Sequence, residues 1–120
     1  FIMQKRLVLL FIALSACWVT MAQSAAKANK SPDPSKPLQI TEASCGQCQF
    51  GLKGKGCTLA VRMNGKAYFV KGTTIDEHGD AHDKEGFCNA IRKAEVQGEI
   101  VKDRFVVSYF KLLPLDPTAK

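Results

Sequence analysis

The sequence predicts a β-rich α+β domain, a small five-stranded, partly open barrel of the oligonucleotide/oligosaccharide-binding (OB) type with one helix. Three observations predict it. Two pairs of alternating runs each bracket a two-residue turn, a short extended run precedes them, and one amphipathic stretch lies between the third and fourth strands. An open antiparallel sheet with one packed helix is the alternative arrangement of the same elements.

The 120-residue chain opens on Lys5-Arg6 and the apolar run from Leu7 to Ala16, the basic and apolar regions of a secretory signal. The run is too short for a comfortable membrane span, and residues 1–22 read as a signal peptide. Small residues at Thr20-Met21-Ala22 suit cleavage before Gln23. The alternative is a lipobox, Leu14-Ser15-Ala16-Cys17, which would leave Cys17 lipidated, although Trp18-Val19 makes an apolar start for a tether. Either way the rest of the chain is expected to be exported, periplasmic or extracellular, or a lipoprotein anchored through Cys17.

Residues 23–37 hold three prolines and no large apolar side chain, so this segment reads as a flexible linker. One domain follows over 38–113. At that size a hydrophobic core is marginal, and disulfides or a metal commonly add to it. Leu38–Thr41 reads as a short strand. Gly46, Gly51, Gly54 and Gly56 punctuate a loop able to adopt positive φ. Thr58–Met63 and Lys66–Val70 flank Asn64-Gly65, a dipeptide suited to a type I′ hairpin turn. Asp83 can cap a helix running to Ala94, with Phe87, Ile91 and Ala94 on its apolar face and Cys88 in its first turns. Glu95–Val101 and Arg104–Leu113 form a second hairpin around Lys102-Asp103. Pro114 ends it, and 114–120 reads as a loose tail.

Seventeen basic against eleven acidic residues give a net charge of +6, and loss of Lys5 and Arg6 with a leader lowers it by two. The balance is mildly basic, with no stripe of cations interleaved with aromatics, so nucleic acid is not an expected partner. The chemistry concentrates elsewhere. Asp76–Cys88 contains both histidines, His78 and His82, with the carboxylates Asp76, Glu77, Asp80, Asp83 and Glu85, while Cys45-x2-Cys48 and Cys57 lie upstream. Six soft or borderline side chains exceed what a four-coordinate metal needs. The expected ligands are Cys45, Cys48, His78, His82 and Cys88, with Cys57 as a substitute or a disulfide partner, and the expected ion is zinc or copper. The expected partner is an envelope protein or a metal donor or acceptor, and a membrane only if Cys17 is lipidated.

A second reading stays open. Without Cys17, four cysteines in an oxidising compartment can form two disulfides in three connectivities, giving a stapled envelope binding module without metal. The histidines then have plainer roles, His82 extending a helix cap beside Asp83 and His78 solvated. Thiol redox catalysis is disfavoured because Cys45-x2-Cys48 leads into glycines with no βαβ unit. Another kind of enzyme would need an activated nucleophile or an acid–base pair; the acidic loop offers carboxylates, and a solvated turn explains them more cheaply than catalysis does.

The segments Cys45-Gly-Gln-Cys-Gln-Phe-Gly51, Gly56-Cys-Thr-Leu-Ala-Val61, His78-Gly-Asp-Ala-His82 and Gly86-Phe-Cys-Asn-Ala-Ile-Arg-Lys-Ala94 resemble a family of small exported bacterial proteins of unknown function. The resemblance covers nearly all of residues 41–113. It implies an exported single domain with a cysteine/histidine site, and it supplies no mechanism.

Overall fold

The computed structural model describes residues 27–115, so the signal peptide expected over 1–22, Cys17, the start of the linker and the end of the tail lie outside the described residues. Five strands form: β1 (Gln39–Cys45), β2 (Leu59–Met63), β3 (Lys66–Lys71), β4 (Arg92–Val101) and β5 (Arg104–Leu112). They close into a barrel in the order β1-β2-β3-β5-β4. Every junction is antiparallel except β3 with β5, which pair in parallel through Phe69–Lys71 and Arg104–Val106. This is the predicted OB-like arrangement, and it is closed. The open-sheet alternative does not form, because β1 has a strand on both sides, Ala43 facing Val61 of β2 and Arg92 of β4.

Both predicted hairpins are present. Asn64 and Gly65 have φ of 52° and 80°, and Lys102 and Asp103 have 49° and 64°, the left-handed pairs that match a tight turn to the twist of its strands. Alternate residues of the strands point inward and are buried together, including Ala43, Leu59, Val61, Val70, Val96, Phe105 and Val107. β1 runs four residues past the expected Thr41, because Glu42–Cys45 pair with Arg62–Leu59.

The helix expected over 83–94 is absent. Residues 81–89 instead make consecutive turns, with Asp83 N–H on Asp80 O, Gly86 N–H on Asp83 O and Asn89 N–H on Gly86 O. Two causes are visible. A Cβ on Gly86 would run into the carbonyl oxygens of Asp80 and Ala81, so the chain folds too tightly there for a helix. Downstream, Arg92–Ala94 are taken into β4, where they pair with Ala43–Thr41 of β1; tertiary pairing outweighs a weak helical preference. The spacing of Phe87 and Ala94 remains meaningful, since both are buried in the core. The helical turns that do form are short: α1 (Gly46–Gln49) between β1 and β2, and a 3-10 turn at Ile75–His78.

The strand directions place the α1 loop (46–58) and the β3–β4 connection (72–91) at one end of the barrel, and the two tight turns at the other. Ile75, Ala81 and Phe87 of that connection join the core. Part of the segment expected to be a flexible linker packs on the barrel as well. Ala28 N–H bonds Gly72 O, Asn29 N–H bonds Ser108 O, and the buried Gln97 side chain accepts from Asp33 N–H and donates to Asp33 O and Lys36 O. Gln97 reaches that strap at a register shift, where Gly98 allows Val106 O to approach.

Candidate metal centre

The barrel's topology brings four cysteines together. Cys45 is the last residue of β1, Cys48 lies on α1, Cys57 precedes β2, and Cys88 lies in the turns of the β3–β4 connection. All belong to the loop-bearing end. Their Sγ atoms lie within 4.8 Å of one another. Cys57 Sγ lies 3.3 Å from Cys88 Sγ and 3.7 Å from Cys48 Sγ, and all four thiols are free.

Each cysteine is held by its backbone or its neighbours. Cys45 N–H donates to Phe87 O (3.0 Å), tying the end of β1 to the β3–β4 connection, and Cys88 N–H donates to Ala81 O (2.9 Å) within that connection. The buried Ser44 hydroxyl lies 2.6 Å from Phe87 O and 2.7 Å from Ala90 O; having one proton, it donates to one of them at a time. Gln49 Nε2 donates to Cys88 O at 2.9 Å, tying α1 to the turn that carries Cys88. Gln47 brackets Thr58 beside Cys57, accepting from its N–H (2.9 Å) and donating to its hydroxyl (3.0 Å). Gly46 leaves α1 room to pack, since a Cβ there would lie 2.7 Å from the Phe69 ring.

Cys45 is wholly buried, and its Sγ caps α1 by accepting the Cys48 N–H at 3.3 Å. Burial is the largest influence on this thiol and opposes its ionisation. Hydrogen bonds from the Cys48 thiol and N–H, the Cys57 thiol and the Gln47 N–H together outweigh it, so its pKa falls below the ordinary value. The neighbours titrate the other way. Cys48, bonded to Cys45 and Cys57, is pushed up to about 12, and Cys88 is pushed up to about 11 by burial and then by Cys57. Hydrogen bonding within the cluster thus favours a thiolate at Cys45, while Cys48 and Cys88 resist ionisation beside it. A divalent cation at its centre would remove that resistance.

The histidines are not in this group. His78 is half-buried, its ring centroid 4.4 Å from that of Phe110 and 6.3 Å from that of Phe87. Its Nε2 lies 2.9 Å from Thr73 Oγ1, which is also 2.7 Å from Glu77 Oε2. A carboxylate only accepts, so the Thr73 proton goes to Glu77 and His78 Nε2–H donates to Thr73. Burial lowers the His78 pKa, and the charge of Glu77 opposes this incompletely. A neutral imidazole packed on two phenyl rings is a core contact. His82 is exposed, with Nδ1 3.8 Å from Asp80 Oδ1 and its N–H on the same oxygen.

Of the ligands expected from the sequence, the fold brings Cys45, Cys48 and Cys88 together with Cys57, and places His78 and His82 outside that group. Ser44, Gln47 and Gln49, which position the thiols, carry no sequence signal beyond adjacency to Cys45 and Cys48. The Family of unknown function (DUF6370) matches residues 39–113, more than half of the chain. The chain belongs to the DUF6370 family. The matched region begins at the first residue of β1 and ends just past β5, so it takes in the whole DUF6370 barrel and all four clustered cysteines. No curated protein and no solved structure matches the chain.

Proposed function

We propose that this protein is a small exported metal-binding protein that holds one zinc ion through Cys45, Cys48, Cys57 and Cys88. The observation that carries the reading is the separation of the four sulfurs. A tetrahedron with Zn–S bonds of about 2.3 Å has S–S edges of about 3.8 Å; two of the pairs lie at 3.3 and 3.7 Å, and none lies beyond 4.8 Å. An all-thiolate tetrahedral set suits zinc; copper(I), also thiolate-loving, is the competing ion. The hydrogen bonds from Gln47, Gln49 and Ser44 serve as the outer support that orients such ligands. Export rests on Lys5-Arg6 and the apolar run behind it, with a lipid anchor on Cys17 as the alternative.

The test is metal content with thiol counting. Protein purified under reducing conditions is expected to carry one zinc per chain, with four clustered thiols counted after denaturation and chelation. Cys45→Ser, Cys57→Ser or Cys88→Ser should abolish stoichiometric zinc and Cys48→Ser should weaken its binding, while His78→Ala and His82→Ala should keep it. Absence of stoichiometric metal from every preparation sinks the proposal.

A second reading is favoured by the 3.3 Å contact between Cys57 and Cys88 Sγ. An exported, metal-free chain would oxidise there and become a stapled binding module, in which a bridge closing 31 residues is worth about 3–4 kcal/mol. Intact mass before and after reduction separates the two readings: the loss of about four hydrogens on oxidation marks two bridges.

A further inference from the structure

Resting on the four-thiolate reading, we infer that the site gives up its zinc at the Cys48 edge, to an acceptor that presents thiolates, and is a transfer site rather than a sealed structural staple. The four ligands are not equally enclosed. Cys45 is fully buried, Cys57 and Cys88 are half-buried, and Cys48 is exposed. A thiolate arriving from solvent can reach the ion only along a face left open, and Cys48 marks that face.

The surrounding structure is asymmetric in the same sense. Cys45 is fixed by the β1 ladder and by Phe87 O, and Cys88 is held at both its N–H and its carbonyl. Cys48 sits on a helical turn of four residues, and the chain beyond it, Gly51–Gly56, is largely exposed, with left-handed φ at Gly51, Gly54 and Gly56. A Cβ at Gly51 or Gly56 would meet no heavy atom within 4 Å, so the loop that follows Cys48 is loosely packed at those two positions. The backbone of Cys48 stays in place through its N–H bond to Cys45 Sγ, so rotation about χ1 alone can swing its sulfur away. Lys53 and Lys55 are exposed on the same loop and favour approach of an anionic acceptor.

The step is a ligand exchange. An acceptor thiolate forms a sulfur–zinc bond as the bond from zinc to Cys48 Sγ breaks; Cys48 leaves as a thiolate and takes a proton from water. Zinc stays divalent and no electron changes hands. A second acceptor thiolate then displaces a further cysteine, and the ion departs.

Zinc-loaded chain beginning at Gln23, which lacks Cys17, mixed with a synthetic peptide bearing Cys-x-x-Cys provides the test, alongside iodoacetamide labelling of the loaded chain mapped by mass spectrometry. The transfer rate should rise in proportion to peptide concentration, and the first label should fall on Cys48. Cys48→Ala should hold zinc more weakly and transfer it faster by at least the ~10-fold that even an outer-shell change costs in metal affinity. A rate independent of peptide concentration, or first labelling at Cys57 or Cys88, overturns the exchange while leaving the zinc site intact. A wild-type chain that takes up no zinc overturns the four-thiolate reading and the exchange together.

Discussion

Cys45 has two roles that substitution can separate. Its sulfur caps α1 through the Cys48 N–H and is also the most enclosed member of the thiol cluster. Cys45→Ser keeps a cap acceptor of the kind helices favour, so secondary structure should survive by circular dichroism while zinc binding is lost. Uptake of zinc must also expel protons, since Cys48 and Cys88 titrate at about 12 and about 11 without it. Calorimetry at pH 7.5 in buffers of different ionisation enthalpy should show at least about two protons released per zinc; none released would contradict thiol ligation. His78 makes a different prediction. Its pKa is lowered by burial against Phe87 and Phe110, so the folded state binds its proton less readily than the unfolded chain does near 6.5. The resulting stability is present above about 6.5 and is lost as pH falls through the depressed folded value. Wild type should therefore lose more stability than His78→Leu between pH 7.5 and 5, measured as the change in the gap between their melting temperatures at saturating zinc. A gap that stays constant would place His78 in solvent. Residue types suggested a mixed cysteine and histidine site because composition shows which donors are near in sequence. It does not show that Phe110, from the last strand, draws His78 away.

The two hairpins were readable because alternation and turn chemistry agree over short distances, Asn64-Gly65 most clearly. The stretch after Asp83 was misread because the spacing of Phe87, Ile91 and Ala94 fits a helix equally well, and only the β1 ladder decides that Arg92–Ala94 become strand. Asp83 meets the Lys84 N–H at 3.1 Å, and its turn is closed by Gly86. Gly86→Ala should cost about 1–3 kcal/mol by overpacking against the carbonyls of Asp80 and Ala81. It should also displace Cys88 and weaken zinc binding, read by denaturant unfolding and by competition with a chelator; unchanged affinity would mean that the turn does not position the thiol. The strap over 28–36 belongs to a segment, 23–37, whose lack of large apolar side chains predicts a loose linker. Its anchor is polar and lies 64 residues away at Gln97. Gln97→Ala, which leaves the Asp33 N–H without its acceptor, should cost about 1–3 kcal/mol and expose the strap to proteolysis before the barrel unfolds. Equal resistance of strap and barrel would contradict this.

Closure of the barrel explains why the cysteines meet although Cys45 and Cys88 are far apart in sequence. The α1 loop and the β3–β4 connection open from the same end, so the strand order brings both halves of the candidate site together. The OB-like topology was inferable from element order, whereas the full complement of four thiols required the path of the β3–β4 connection. Zinc binding to such a site adds directly to folding stability, which suits a domain of this size. The central claim is the ligand set, and zinc K-edge X-ray absorption of the loaded full-length chain tests it most directly. Four sulfurs at about 2.3 Å are the predicted first shell; a shell containing imidazole nitrogens at about 2.0–2.1 Å would contradict it and return His78 or His82 to the site.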